Sequence, residues 1–198
     1  MKIIPMFSVK KFKLFKYNKK KRKKFIKTNS KIFIKSELDK KILRIIPKNL
    51  KTYSKDLGNS CKLLVILKNG KICHLSYIFL DTKISADIFF KTKKNYKAKE
   101  AIIGPTYTFK KFRNQGLYTL ALNRIIKKFH KNYNLFISTE INAKDRYIAF
   151  KSNNFVYFSN GYLITFFKVF KLYINMDNKK LKLNFSCYFR NTCLYTNN

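Results

Sequence analysis

The sequence predicts an α+β fold, a mixed and mostly antiparallel twisted sheet with helices. Three observations carry this. Residues 61–67 and 71–80 are strand-like apolar runs flanking Lys68-Asn69-Gly70. Asn-Gly is the strongest short hairpin signal, because both residues tolerate the positive φ of a type I′ turn. Residues 101–131 begin as an apolar run to Thr108, cross a polar turn from Phe109 to Gln115, and continue as a helix. Leu117, Leu120, Ala121, Ile125 and Phe129 recur there at three- and four-residue spacing, a single apolar stripe. Residues 135–140 (LFISTE) and a helical pattern over 142–153 repeat the strand–helix order. A hairpin followed by strand–helix units gives a mixed sheet, not a doubly wound one.

Length and composition set the limits. A chain of 198 residues is one domain with room for a real core. With 46 % apolar residues, disorder throughout is excluded. The net charge of +36 and pI near 10.2 invite an anionic partner, such as a membrane surface, a phosphorylated ligand or nucleic acid. A compositional reading stands beside the functional one. The chain is rich in Lys, Asn, Ile, Phe and Tyr and has no Trp, the bias of an AT-rich coding sequence. Cys61, Cys73, Cys187 and Cys193 form no CxxC pair, and the histidines are only His74 and His130. No metal site is therefore expected. Pro5 and the lysines after it deny the N-terminus an apolar signal core, and no run reaches the roughly 18–20 apolar residues of a membrane span. A reduced, cytoplasmic protein is the expectation.

In chain order, Ile3, Ile4, Met6, Phe7 and Val9 suit a first strand. Beyond them Phe12, Phe15, Tyr17 and Phe25 interleave with lysines, which fits an amphipathic element lying on the domain as well as a nucleic-acid groove. Lys19–Lys24 (KKKRKK) reads either as a solvated face or as a patch for acidic lipid head groups or nucleic acid. Residues 30–53 read as helical, with Ser36, Glu37 and Asp39 at the start and Pro47 as the interruption. Gly58-Asn59 marks a loop over 55–60. Residues 84–90 are a further apolar run before a Lys-rich loop at 91–99. At the end, 155–158 and 162–174 read as two strands joined by a turn at Ser159-Asn160-Gly161. The basic segment 1–30 and the tail 175–198 are the least legible parts, with some strand at 181–189.

Strand, basic turn, glycine and helix make a physical recipe for holding an anion. The first N–H groups of a helix lack internal partners, the dipole there is positive, and Gly116 lets a phosphate come close. Lys110, Lys111 and Arg113 add charge.

Arg113-Asn114-Gln115-Gly116-Leu117-Tyr118 resembles the acyl-CoA motif of the GNAT acetyltransferase superfamily: Gln or Arg, two free positions, Gly, one free position, then Gly or Ala. Tyr118 departs at the last position, although Leu117-Tyr118-Thr119 resembles a subgroup phrase that carries Tyr there. Asn142 resembles the frequent Asn that opens the family's last helix. Lys151-Ser152-Asn153-Asn154-Phe155 is similar to the common Lys-x-Gly-Phe ending, with Asn154 in the glycine's place and a spacing one residue longer. Asn is the best non-glycine residue for a left-handed helix end. The resemblance covers residues 61–174 and extends loosely to the first sixty.

It implies a GNAT-like sheet with a splayed central strand pair and helices on both faces, and acetyl-CoA as acyl-CoA co-substrate with no metal. Tyr107 and Thr108 would meet the pantetheine arm, the amides of Asn114, Gln115, Gly116, Leu117 and Tyr118 the pyrophosphate, with Thr119 and Asn142 completing the set. An N-acetyltransferase acting on an amine of a small molecule is implied, an amino sugar of a surface-polysaccharide pathway being the specific acceptor. Protein or peptide N-acetylation and a non-enzymatic basic nucleic-acid-binding module are the alternatives. Acyl transfer needs a proton acceptor and a group facing the leaving thiolate. Glu100, Glu140 and His74 are the candidate bases, each with a structural reading beside it: a partner of nearby lysines, a solvated strand end, a packed strand residue. Phe150 or Ala149 is the nearest counterpart of the family's thiolate acid, and Tyr147 stands about one turn earlier.

Overall fold

The computed structural model describes residues 7–20, 30–37, 40–51, 53, 57–58, 61–80, 99–166, 170–177, 180–189 and 192–194. Its strands are β1 (Phe7–Tyr17), β2 (Lys31–Lys35), β3 (Cys61–Lys68), β4 (Lys71–Leu80), β5 (Glu100–Thr108), β6 (Asn134–Glu140), β7 (Phe155–Phe166), β8 (Phe170–Asp177), β9 (Lys180–Phe189) and β10 (Thr192–Leu194). The helices are α1 (Lys40–Ile45), α2 (Lys48–Lys51), α3 (Leu117–Phe129) and α4 (Lys144–Ser152), with a short 3-10 turn at Lys110–Phe112. All ten strands form one sheet in the order β10-β9-β8-β7-β1-β6-β5-β4-β3-β2. β5 and β6 run parallel and every other neighbouring pair is antiparallel. This is the expected α+β class.

The local signals are realised where they were read. Asn69 and Gly70 take φ of 50° and 72°, the type I′ turn that joins β3 to β4. The stripe of α3 buries Leu117, Ala121, Ile125 and Phe129. They pack with Leu64, Ile78, Ile103, Ile137 and Phe150 on one face of the sheet. Fully burying an aliphatic side chain of this size stabilises by about 1.5–3 kcal/mol, so this layer fixes where α3 begins. On the opposite face Ile42 of α1, Ile46 just after it and Leu50 of α2 cover Leu63, Leu75 and Tyr77. The Tyr77 hydroxyl donates to the Leu50 carbonyl at 3.3 Å. Leu14, Ile102 and Phe136 continue that face further along the sheet.

Several expectations are corrected. Residues 31–35 are a strand, not the start of a helix. Ile32 and Ile34 alternate with exposed Phe33, and period two wins over the helical spacing to Ile42 and Ile46. Pro47 does separate α1 from α2. The Lys-rich stretch after Phe7 does not lie on the domain. It is an interior strand, paired with β6 on one edge and β7 on the other. Ser159-Asn160-Gly161 is not a turn but the middle of β7, and the skip in register falls between Leu14 and Phe15 instead. Gly161 stands opposite Phe12, and a Cβ there would overlap the Phe12 ring. The glycine is a close-approach residue in extended backbone, which the sequence alone reads as a turn. The last helix starts at Lys144, not Asn142, and ends with Asn154 at φ 60°, the left-handed residue expected there. The strand expected over 162–174 is shared between the end of β7 and β8, and the tail from 175 holds the end of β8, then β9 and β10. Ile3, Ile4, Met6, residues 21–29 and the run 84–90 lie outside the described residues, as does the Lys-rich loop up to residue 98.

Candidate functional site

The parallel pair β5–β6 stays together only from Glu100↔Asn134 to Ile103↔Ile137. Beyond that point β5 remains with β4 and β6 remains with β1, whose pairing reaches Phe12↔Glu140. Between the pairs Ser76↔Thr106 and Ile78↔Ile103, Gly104 and Pro105 stand opposite Tyr77 alone, a bulge in β5. Gly104 has φ 132°, a conformation that glycine alone adopts readily, and Pro105 offers no N–H to a neighbour. The two strands therefore part, and from Gly104 to Thr108 one backbone edge of β5 faces the opening rather than a strand.

The opening leads to the start of α3. Asn114 and Gly116 both take positive φ, at 60° and 68°, and Gly116 is the N-cap. Left-handed residues before a helix turn successive N–H groups into one concavity, and those of the first turn have no intrahelical acceptor. Lys110, Lys111, Arg113, Asn114, Gln115 and Gly116 are exposed, while Leu117 is buried and anchors the turn. Arg113 Nε donates to the Thr108 carbonyl at 3.3 Å, tying the loop back to the end of β5. Lys68, at the tip of the β3–β4 hairpin, donates to Gln115 Oε1 at 2.8 Å and brings a fourth cation. No local sequence signal links that hairpin tip to α3.

Beneath the cradle lies a polar row. His74 is fully buried, with Nδ1 2.7 Å from Thr108 Oγ1 and Nε2 2.7 Å from Ser76 Oγ. Burial lowers its pKa to about 3, so the imidazole is neutral near pH 7. It faces the α3 side of the sheet and links β4 to β5. Tyr118 reaches from α3 over the same row, 6.0 Å ring to ring from His74 and 6.1 Å from Phe150. Burial around its hydroxyl holds it protonated far above the ordinary phenol range, despite the Arg146 charge and a hydrogen bond with Thr106. The large side chain that departs from the motif thus fills the wall of the opening. Thr119 is half-buried in the same helical turn.

The remaining candidates separate. Glu100 begins β5 at the closed end of the pair, opposite Asn134. At roughly 3.3 Å per residue it stands on the order of 25 Å from Thr108. Glu140 ends β6 at the open end and is exposed. Alternation puts its side chain on the face that carries α1 and α2, together with Tyr107. The Tyr147 hydroxyl donates to the Ile141 carbonyl at 2.7 Å, so its hydrogen is already committed to the loop after β6. Asn142 is exposed in that loop, two residues ahead of α4. Arg146, missed by the sequence reading, approaches Thr139 Oγ1 at 3.4 Å. A cation in the first turn of a helix opposes the dipole, and that mismatch was its signal. Among the described residues no three metal-ligating side chains come together, and no helix is long and apolar enough to cross a membrane.

No family model matches the sequence, and no curated protein matches it. Solved structures do. An acetyltransferase of the GNAT family from Colwellia psychrerythraea superposes with a TM-score of 0.55 at 16 % identity, over 81 % of this chain and 56 % of that one. The chain has the GNAT fold. A GNAT-family protein from Novosphingobium aromaticivorans DSM 12444 gives 0.56 at 9 % identity, over 81 % and 66 %. A GCN5-related N-acetyltransferase-like protein from Streptococcus suis 89/1591 gives 0.50 at 11 % identity, over 81 % and 63 %. The chain spans less than two thirds of the length of each. Within the GNAT fold, the parting of β5 from β6 beside a helix N-terminus is the splayed central pair that the motif implied.

Proposed function

We propose that this protein is an N-acetyltransferase that moves the acetyl group of acetyl-CoA to an amine of a small molecule. The observation that carries the reading is the end of β5–β6 pairing at Ile103↔Ile137, which opens a cleft toward the nest at Asn114–Gly116. The residues present fit an acyl-CoA. The free backbone edge of Gly104–Thr108 suits an extended arm with amide groups, and the first-turn N–H groups of α3 with Lys68, Lys110, Lys111 and Arg113 suit a pyrophosphate. Acetyl-CoA when bound supplies an acyl group activated as a thioester.

The amine attacks in its neutral form, so one proton must leave as the C–N bond forms and the C–S bond breaks. Glu140 is the carboxylate we assign to take it, on the grounds of its exposure at the open end and its shared face with Tyr107. Tyr118, kept protonated by burial, offers a hydrogen bond to the departing sulfur. Removing a positioned base lowers kcat by about 10²–10⁴-fold, the loss expected of Glu140→Gln. An amino sugar is the first acceptor to test, with a peptide amine as the comparison.

A thermal-shift titration decides the reading. Acetyl-CoA at a hundredfold excess over Kd should stabilise the protein by about 2.7 kcal/mol. Gly116→Glu sets a carboxylate in the nest and should abolish the shift, and Arg113→Ala should weaken it without the backbone strain of Gly116→Glu. No shift in the wild type, or an undiminished one in both variants, refutes the site.

A further inference from the structure

A second concavity lies on the other side of α4. This helix packs against α3 on one flank and β7 on the other, so it separates the new groove from the β5–β6 opening. The groove has a volume of about 480 Å³, within the roughly 300–1,000 Å³ of small-molecule sites. Its described lining holds two lysines, Lys13 and Lys151, four aromatic rings, and no acidic residue. Lys13 Nζ sits 5.3 Å from the Tyr147 ring centroid, which holds the cation at the wall. Phe15 meets Tyr157 edge-on at 6.2 Å and 84°, fixing that ring while it stays 47 % exposed. A half-exposed tyrosine braced by a buried phenylalanine offers a stacking surface at little entropic cost. Lysines lining the same groove as such a surface suit the phosphates that accompany a base.

Two described lysines of the N-terminal segment, Lys19 and Lys20, come to the same place. Asn18 N–H donates to the carbonyl of Asn154, a groove residue, at 2.9 Å, and Lys19 and Lys20 follow it, both exposed. Positive charge therefore continues beyond the groove residue Asn154.

We propose that this groove binds a nucleotide unit, its base on Tyr157 and its phosphate between Lys13 and Lys151, with single-stranded nucleic acid as the source that the Lys19-Lys20 extension favours. The proposal is independent of acyl transfer. The test titrates the full chain with a labelled eight-residue oligouridylate and, separately, with uridine monophosphate, at two salt concentrations. The oligonucleotide should bind. Tyr157→Ala should weaken binding about five- to 150-fold, the range for losing one stacked base, while Tyr157→Phe stays within about twofold of wild type. Lys151→Glu, on an exposed helix position that does not depend on β7 tolerating truncation, should lower both affinity and the salt slope. Lys31→Glu on the far edge strand should do neither. Tighter binding of the oligonucleotide than of the monophosphate upholds the strand as source. Equal binding that still depends on Tyr157 and Lys151 upholds the site with a free nucleotide. Absence of binding by both ligands, or oligonucleotide binding that Tyr157→Ala and Lys151→Glu leave equal to wild type, overturns the proposal.

Discussion

β4 and β1 are both interior strands, each hydrogen-bonded on two edges, yet they are built in opposite ways. Every residue of β4 from Cys73 to Leu80 is buried, and its polar members His74 and Ser76 are bonded to each other. Over residues 10–17 of β1 only Leu14, Phe15 and Tyr17 are buried, and Lys10, Lys11, Lys13 and Lys16 fill the other positions with Phe12. Three of those lysines lie over rings: Lys11 over Tyr162 at 5.8 Å, Lys13 over Tyr147 at 5.3 Å, and Lys16 over Phe136 and Phe158 at 5.6 and 5.8 Å. A strand can be central in hydrogen bonding and peripheral in burial, because helices cover β4 on both faces and leave much of β1 to solvent. β4 thus supplies a rigid wall beside the β5–β6 opening, and β1 supplies the charged wall of the second groove.

The widest break in this comparison comes from giving β4 what β1 tolerates. Ile78→Lys buries an unpaired charge and should cost more than about 4 kcal/mol, enough to erase cooperative unfolding in a urea titration. In the β1 region the sensitive point is a glycine. Gly161→Val drives a side chain into the Phe12 ring and should cost about 3 kcal/mol, much of it recovered in the double variant with Phe12→Ala. Third is acid sensitivity of β4. The pKa of His74 falls from 6.5 to about 3 on folding, so between those values the unfolded chain binds the extra proton and stability falls as pH falls. From pH 6.5 to 5 that amounts to roughly 2 kcal/mol, and the slope should be missing in His74→Gln. The smallest effect belongs to β1: Lys13→Ala forfeits one cation–π contact and should change stability by less than about 1 kcal/mol.

Much of the cleft was legible because its parts are local. The Asn69-Gly70 turn, the α3 stripe and the glycine ahead of it each fit within about ten residues, and the backbone conformation they demand is the one observed. Asn154 as a left-handed helix end was legible for the same reason. His74, Glu100 and Tyr147 were not separable by sequence. Their chemistry qualifies all three, and only the placement of each side chain divides them. His74 lies under α3, Glu100 stands at the closed end, and Tyr147 spends its hydroxyl on Ile141. Residues 31–35 misled because Ile32 and Ile34 alternate at period two while Ile34 also falls at helical spacing with Leu38 and Ile42.

Sequence by itself determined the hairpin, the basic turn and the helix that together resemble an acyl-CoA cradle, since turn chemistry and helical periodicity act over neighbouring residues. Tertiary structure alone decided that β1 would enter between β6 and β7, that Gly161 would admit the Phe12 ring, and that β5 and β6 would part after Ile103. Alternation along a strand specifies which face is buried but not which strand lies alongside, and that choice rests on contacts among residues more than a hundred positions apart.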